Sequence, residues 1–201
     1  MALLCLADAK ESKKFCLGVE IPVRMCYTAC KKDVVEHMKI LVVSDSHSAL
    51  RFMRLALQAI KPDAVVHLGD CYDDAQVIAE ENPNLIVHQV PGNCDRFKCP
   101  ISAQEILCYR VCGVDLYMTH GHLHGVKMGL WRLLQEGASS DAQAILFGHT
   151  HKAECFQEGE QWVMNPGSCG NSAGSVGLIE TDGNKITACR ILRQTDLEGM
   201  V

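Results

Sequence analysis

The sequence predicts an α/β fold: a four-layer α-β-β-α sandwich of two mixed sheets. Two observations carry the prediction. Residues 38–90 alternate strand and helix signals, the pattern of a parallel sheet covered by helices. Residues 105–192 hold mostly short strands separated by tight-turn signals, which suggests a second sheet packed on the first, with helices outside both. No repeat or low-complexity linker divides the two stretches.

Each element follows from its local pattern. The run Met-Lys-Ile-Leu-Val-Val-Ser-Asp from Met38 reads as a buried strand over 39–44 that enters a polar loop. Residues 48–60 read as an amphipathic helix with Leu50, Met53, Leu57 and Ile60 on one face, stopped at Lys61-Pro62. Strands follow at 64–68 and 85–90, with a short helix at 74–81 between them. Residues 105–111 and 114–119 flank Cys112-Gly113, a hairpin signal. A helix is expected over 123–135 and a strand over 144–147. Turns at Glu158-Gly159 and Asp182-Gly183-Asn184 then separate the remaining strands.

The 201 residues suit one domain with a full-sized core. The first 37 carry four of the 12 cysteines and no sustained periodicity, and Met38 directly precedes the first strand. The expected division is therefore an N-terminal extension or wrongly chosen start over 1–37 and a folded domain over 38–201. The formal charge of −5 lacks the footprint of a nucleic-acid coat protein. Apolar runs such as 38–43 and 64–68 are too short to cross a bilayer. Neither membrane insertion nor stable nucleic-acid binding is expected. Asp8 interrupts the apolar run of residues 1–9, and no basic segment precedes it, so no secretory signal is read there. The cysteines then read as free thiols in a reducing cytoplasm.

Histidine is the more informative count. Six of the nine lie in short clusters, and five polar clusters each follow an expected strand. They are Asp45-Ser46-His47, Gly69-Asp70, Gly92-Asn93-Cys94-Asp95, His120-Gly121-His122 and Gly148-His149-Thr150-His151. Strand C-termini are where α/β sheets collect ligands. Residues two apart in extended backbone point to one side, which would pair Asp45 with His47, His120 with His122, and His149 with His151. Imidazole, carboxylate and one amide suit Mn²⁺, Fe, Zn²⁺ or Mg²⁺. Seven donors exceed the needs of one ion with an open position, and a shared carboxylate, with Asp70 as the candidate, would let two ions use them. Each residue alone is an ordinary loop residue; together, in this placement, they are not.

In order and rough spacing these clusters resemble those of the calcineurin-like metallophosphoesterases, most of all their small single-domain bacterial and archaeal phosphodiesterases. The match runs from Met38 to about Leu192. The resemblance implies one metal held by Asp45, His47, Asp70 and His151, and a second held by Asp70, Asn93, His120 and His149. It implies two divalent ions, Mn²⁺ first, with Mg²⁺, Fe, Ni²⁺ or Zn²⁺ as alternatives. The implied reaction is hydrolysis of a small or nucleotide-like phosphodiester by a metal-bridging hydroxide. Asn93, Cys94, Asp95 and His122 are the candidates for work at the phosphoryl group. Cys94 stands where many members carry a histidine that protonates the leaving oxygen, and a thiol of pKa ~8.5 is a poor substitute. His122 or a metal-held water would then act as the acid, favouring good leaving groups. A phosphomonoesterase is the alternative within the class, and a metal-free scaffold, like a retromer subunit of this family, the alternative outside it. Members often form homo-oligomers.

Outside the clusters, His67 and His88 read as packed strand residues, and His124 as exposed or beside the phosphate. Asp73 and Asp74 read as helix caps, Cys71 as a bystander, and Asn165-Pro166-Gly167-Ser168 as a turn that shapes the pocket.

Overall fold

Alternation along the first strand decides the layering. In β1 (Met38–Val43), Ile40 and Val42 face one side and Leu41 and Val43 the other, and all four are buried. Such a strand needs apolar cover on both faces. The computed structural model describes residues 37–171 and 174–201. The extension expected over 1–37 thus lies, but for His37, outside the described residues.

The described elements follow β1 as α1 (Leu50–Ile60), β2 (Ala64–His67), α2 (Tyr72–Glu81), β3 (Ile86–Gln89), β4 (Ile106–Val111) and β5 (Val114–Thr119). Then come α3 (Trp131–Ala138), β6 (Ala144–Leu146), β7 (Glu154–Glu158), β8 (Gln161–Asn165), β9 (Ser175–Thr181), β10 (Ile186–Arg193) and α4 (Gln194–Glu198). The strands form two five-stranded sheets, ordered β10-β9-β1-β2-β3 and β4-β5-β6-β8-β7. In the first, β1, β2 and β3 are parallel, and β9 and β10 add antiparallel neighbours. In the second, β5, β6 and β8 are parallel, with β4 and β7 antiparallel at the edges.

Three apolar clusters separate the four layers. Ile40, Val42 and Val66 meet Leu116, Met118, Leu146 and Met164 between the sheets. Outside the first sheet, Leu41, Val43 and Val65 pack on Met53 and Ala56 of α1, Ile78 of α2 and Leu197 of α4. Outside the second, Tyr117, Ile145 and Val163 pack on Leu133 of α3. The predicted α-β-β-α sandwich is the observed one.

One element differs. The helix expected over 123–135 is a 3-10 turn at His122–His124 followed by α3 from Trp131. Gly125 (φ +64°) and Gly129 (φ +143°) break the path between them, although the leucines on either side keep a helical spacing.

Candidate metal centre

Six parallel strands end on one rim of the sandwich, and the loops after them carry every predicted ligand. The loops are laced across the two sheets. The Asp45 N–H donates to Gly69 O (2.9 Å), the Gly148 N–H to His120 O (3.1 Å) and the Ser168 hydroxyl to Asp45 O (2.8 Å). Such close approach restricts side chains. A Cβ on Gly92 would collide with Asp70, and one on Gly148 with Ser44 Oγ.

The backbone that presents the ligands is not extended. Asp45 (φ +51°), His47 (+43°), Asp70 (+58°), His149 (+67°) and His151 (+59°) all adopt left-handed conformations. The pairing expected from two-residue spacing in extended backbone is therefore corrected. The loops curl, and the curl turns the donors inward. Left-handed non-glycine residues cost about 1 kcal/mol or more each and persist where the surroundings enforce them.

Asp45, His47, Asp70 and His151 offer donor atoms that all lie within 4.8 Å of one another. The two carboxylates form a buried floor, and the two imidazoles an exposed rim. The Asp45 carboxylate divides its oxygens. Oδ2 accepts from the Ser44 hydroxyl (2.7 Å) and the His149 N–H (3.1 Å). Oδ1 is buried, has no hydrogen-bond partner among the described residues, and faces His151 Nε2 at 3.0 Å. An orphaned carboxylate oxygen against an imidazole nitrogen is the environment a cation fits.

A second group adjoins the first. His120 is fully buried, and its Nδ1 lies 2.7 Å from Leu68 O. A carbonyl only accepts, so Nδ1 carries a proton, which leaves Nε2 as the ring atom able to present a lone pair to a cation. That lone pair faces Asn93 Oδ1 at 3.2 Å and Asp70 Oδ1 at 3.5 Å, a convergence of three electron donors that also fits a cation. The His149 ring lies 5.0 Å from that of His120. Burial, then the neighbouring His120, push His149 down to about 4, so it is neutral at pH 7. Burial raises Asp70, but the Cys94 N–H on its Oδ1 (3.0 Å) and the neighbouring imidazoles outweigh it, so its pKa is lowered below the ordinary carboxylate range.

The remaining candidates separate. His122 is half-buried, its ring 5.4 Å from that of His120, and burial, then His120, lower its pKa. Asn93 and Cys94 are exposed at the rim. Partial desolvation and the Asp70 carboxylate push the Cys94 thiol up, so it stays protonated at pH 7. Beside Asn93 and His122 opens a cleft of about 570 Å³, lined also by Arg96, Ile101 and Glu105.

Asp95 is a positioning residue, which corrects the expectation that it works at the phosphoryl group. It is fully buried, and its carboxylate accepts four backbone N–H bonds, from Asp70, Cys71, Tyr72 and Gly92, at 2.8–2.9 Å. It caps the start of α2 from a distant loop and fixes the backbone of Asp70. Asp74, expected to cap that helix, instead accepts from the Ser46 hydroxyl (2.6 Å) and the Ser48 N–H (2.8 Å).

Ser46 in turn lies 3.0 Å from His67 Nε2, while His67 Nδ1 accepts from the Gly69 N–H. Ser, His and Asp thus form a chain, but one wired backwards for nucleophilic catalysis: His67 donates to Ser46, and Ser46 to Asp74. All three are buried, and the chain ties the loops after β1 and β2 together. His124 is buried as well, against the expectation of exposure, with Nε2 2.9 Å from both the Tyr117 hydroxyl and Glu136. Asn165 donates to Gly148 O (3.0 Å) and Thr150 Oγ1 (2.9 Å), which braces the loop of His149 and His151.

Residues 38–184 match the calcineurin-like phosphoesterase superfamily domain. The chain is 31% identical over 137 residues to probable metallophosphoesterase YsnB of Bacillus subtilis, covering 65% of this chain and 75% of that protein. It is 30% identical over 175 residues to phosphodiesterase YfcE of Escherichia coli, covering 72% of this chain and 89% of that protein. The fold is shared with the structure of Vacuolar Protein Sorting 29 from Cryptosporidium parvum. There the TM-score is 0.62 at 16% identity, over 79% of this chain and 97% of the other.

Proposed function

This chain belongs to the calcineurin-like phosphoesterase superfamily and is a metal-dependent phosphoester hydrolase; from that premise we propose a two-metal phosphodiesterase acting on small or nucleotide-like diesters. One observation carries the reading. Asp70 belongs to the Asp45–His47–His151 group and also presents Oδ1 to His120, so a single carboxylate stands between two donor sets.

Asp45, His47, Asp70 and His151 would hold one ion, and Asp70, Asn93, His120 and His149 the other. Divalent ions there would polarise phosphoryl oxygens and lower the pKa of bound water toward neutrality. The protein's own groups set the rest. Asp95 and the Asp45 Oδ2 contacts hold the floor rigid, which keeps the donors converged at no cost during the reaction. The half-buried His122 faces the same rim and suits a contact to a phosphoryl oxygen. The cleft beside it would take the ester group, with Arg96 for a further anionic group and Ile101 for apolar surface. Cys94, protonated but weakly acidic, protonates a leaving oxygen poorly, so diesters with acidic leaving groups should turn over fastest.

The test is a panel of bis-(p-nitrophenyl) phosphate, p-nitrophenyl phosphate and alkyl diesters, assayed with Mn²⁺, Mg²⁺ and no added metal, together with metal analysis. Diester turnover with two ions per chain is expected. One ion per chain at full activity overturns the two-metal reading, and monoester preference overturns the diester reading. In the Cys94→His variant, rates on alkyl diesters should rise relative to those on the nitrophenyl diester; unchanged ratios remove Cys94 from the leaving-group account. Among the described residues no helix is long and apolar enough to cross a membrane.

A further inference from the structure

The cysteines of this chain read at first as bystanders, yet two of them meet where the sheets do. Cys155 lies on β7, the edge strand of the second sheet, and Cys189 on β10, the edge strand of the first. Both are free, partly buried and packed on the apolar layer between the sheets, and their sulfur atoms are 3.3 Å apart. The sequence separates them by 34 residues, so only the closing of the sandwich brings them together.

We propose that Cys155 and Cys189 form a reversible dithiol–disulfide site, which takes a low-molecular-weight disulfide as its oxidant and ties the two sheets at this edge. The proximity of the two thiols is the first requirement, since a disulfide needs neighbouring Cβ atoms on facing strands. The second is a reactive member. The contact between the two sulfur atoms splits their acidities: Cys155 is lowered, whereas Cys189 is pushed up. Cys155 is thus the attacking thiolate. It displaces one thiolate from the small disulfide and forms a mixed disulfide. Cys189 then loses its proton, attacks the Cys155 sulfur and displaces the second small thiol. Two electrons and two protons pass from the protein to the small disulfide, which leaves as two thiols.

The consequence follows from topology. β7 and β10 belong to different sheets, and β7 begins just after His151. A bond between them closes a long loop and anchors the strand that follows the metal-binding loop. Closing a loop of this length restricts the unfolded chain strongly. The expected effect is a rise in Tm on the order of 5–10 °C on oxidation.

The full-length protein would be equilibrated in buffers of reduced and oxidised glutathione, quenched with N-ethylmaleimide, digested and mapped by mass spectrometry, with Tm followed in parallel. Support is a Cys155–Cys189 cross-linked peptide, two hydrogens lighter than the pair of free peptides, whose yield tracks the Tm rise and reverses with dithiothreitol. Cys155→Ser and Cys189→Ser should each lose the rise while keeping a reduced-state Tm near that of the parent. Alkylation of both thiols in the oxidising buffer overturns the proposal. So does cross-linking through other cysteines only, or a Tm rise that survives in either variant. Should a serine variant fail to fold, the peptide map of the parent protein decides alone.

Discussion

The two ends of the sandwich spend left-handed backbone differently. At the end away from the site, the turns β4–β5, β7–β8 and β9–β10 each place a glycine in a left-handed conformation, Gly113 (φ +81°), Gly159 (+61°) and Gly183 (+85°), with Cys112 (+48°) beside the first. At the other end Gly69 (+92°) and Gly121 (+97°) do the same, but five more such conformations fall on the donor-bearing Asp45, His47, Asp70, His149 and His151. Glycine would fit there with less strain, but it brings no donor atom. Strain is accepted where a side chain is needed, and something rigid must enforce it. The support is visible beneath the site: Asp95 with four N–H donors, the His67–Ser46–Asp74 chain, and Asn165 under the histidine loop.

The largest effect is expected at Asp70, whose carboxylate lies between the Asp45–His47–His151 group and His120. Asp70→Ala should lower kcat/KM by on the order of 10³-fold or more, with the far-ultraviolet circular dichroism unchanged. Activity within tenfold of the parent would show that Asp70 is not shared between two ions.

The next effect is on pH stability. Burial holds His67 at about 4, against an ordinary value near 6.5. Its folded pKa is depressed, so the unfolded chain binds the proton first. The neutral form's stability is fully present above pH 6.5 and is lost as pH falls from 6.5 toward 4. The loss amounts to about 3 kcal/mol over that window. Denaturant unfolding of the parent and of His67→Gln across pH 4–7 should show a shallower slope in the variant.

Asp95→Asn tests the support more gently. An amide that faces four N–H donors has one oxygen to offer them, and the misfit should cost about 2 kcal/mol in denaturant unfolding. Metal affinity should also fall, by roughly 10–100-fold in titration calorimetry. An unchanged affinity would show that the floor holds its shape without Asp95.

The smallest effects set the two ends directly against each other. Gly159→Ala meets no neighbouring atom and carries only the left-handed penalty, so it should cost about 1 kcal/mol and leave activity untouched. His151→Gly should do the reverse, raising metal-free stability by about 1 kcal/mol while activity collapses. Equal signs in the two unfolding experiments would remove strain from the account of the site.

The strands, the two-sheet layering and the polar clusters that gather at the strand ends were legible in the sequence. Burial on both faces leaves continuous apolar runs, and strand ends leave short polar clusters at fixed offsets. The roles of Asp95 and Asp74 were not legible, because their partners lie 23–28 positions away, apart from Gly92 close by. Helical spacing over 123–135 misled for a local reason: Gly125 and Gly129 interrupt the helix while the apolar period runs on.

By itself, then, the sequence determined which residues would face the core and which donor types would gather at one rim, since both follow from local period and chemistry. Only the tertiary structure decided how the donors converge, which carboxylate is spent on backbone N–H groups, and which two of the cysteines meet. Those outcomes depend on contacts between distant segments and on left-handed backbone, and neither leaves a periodic trace in the chain.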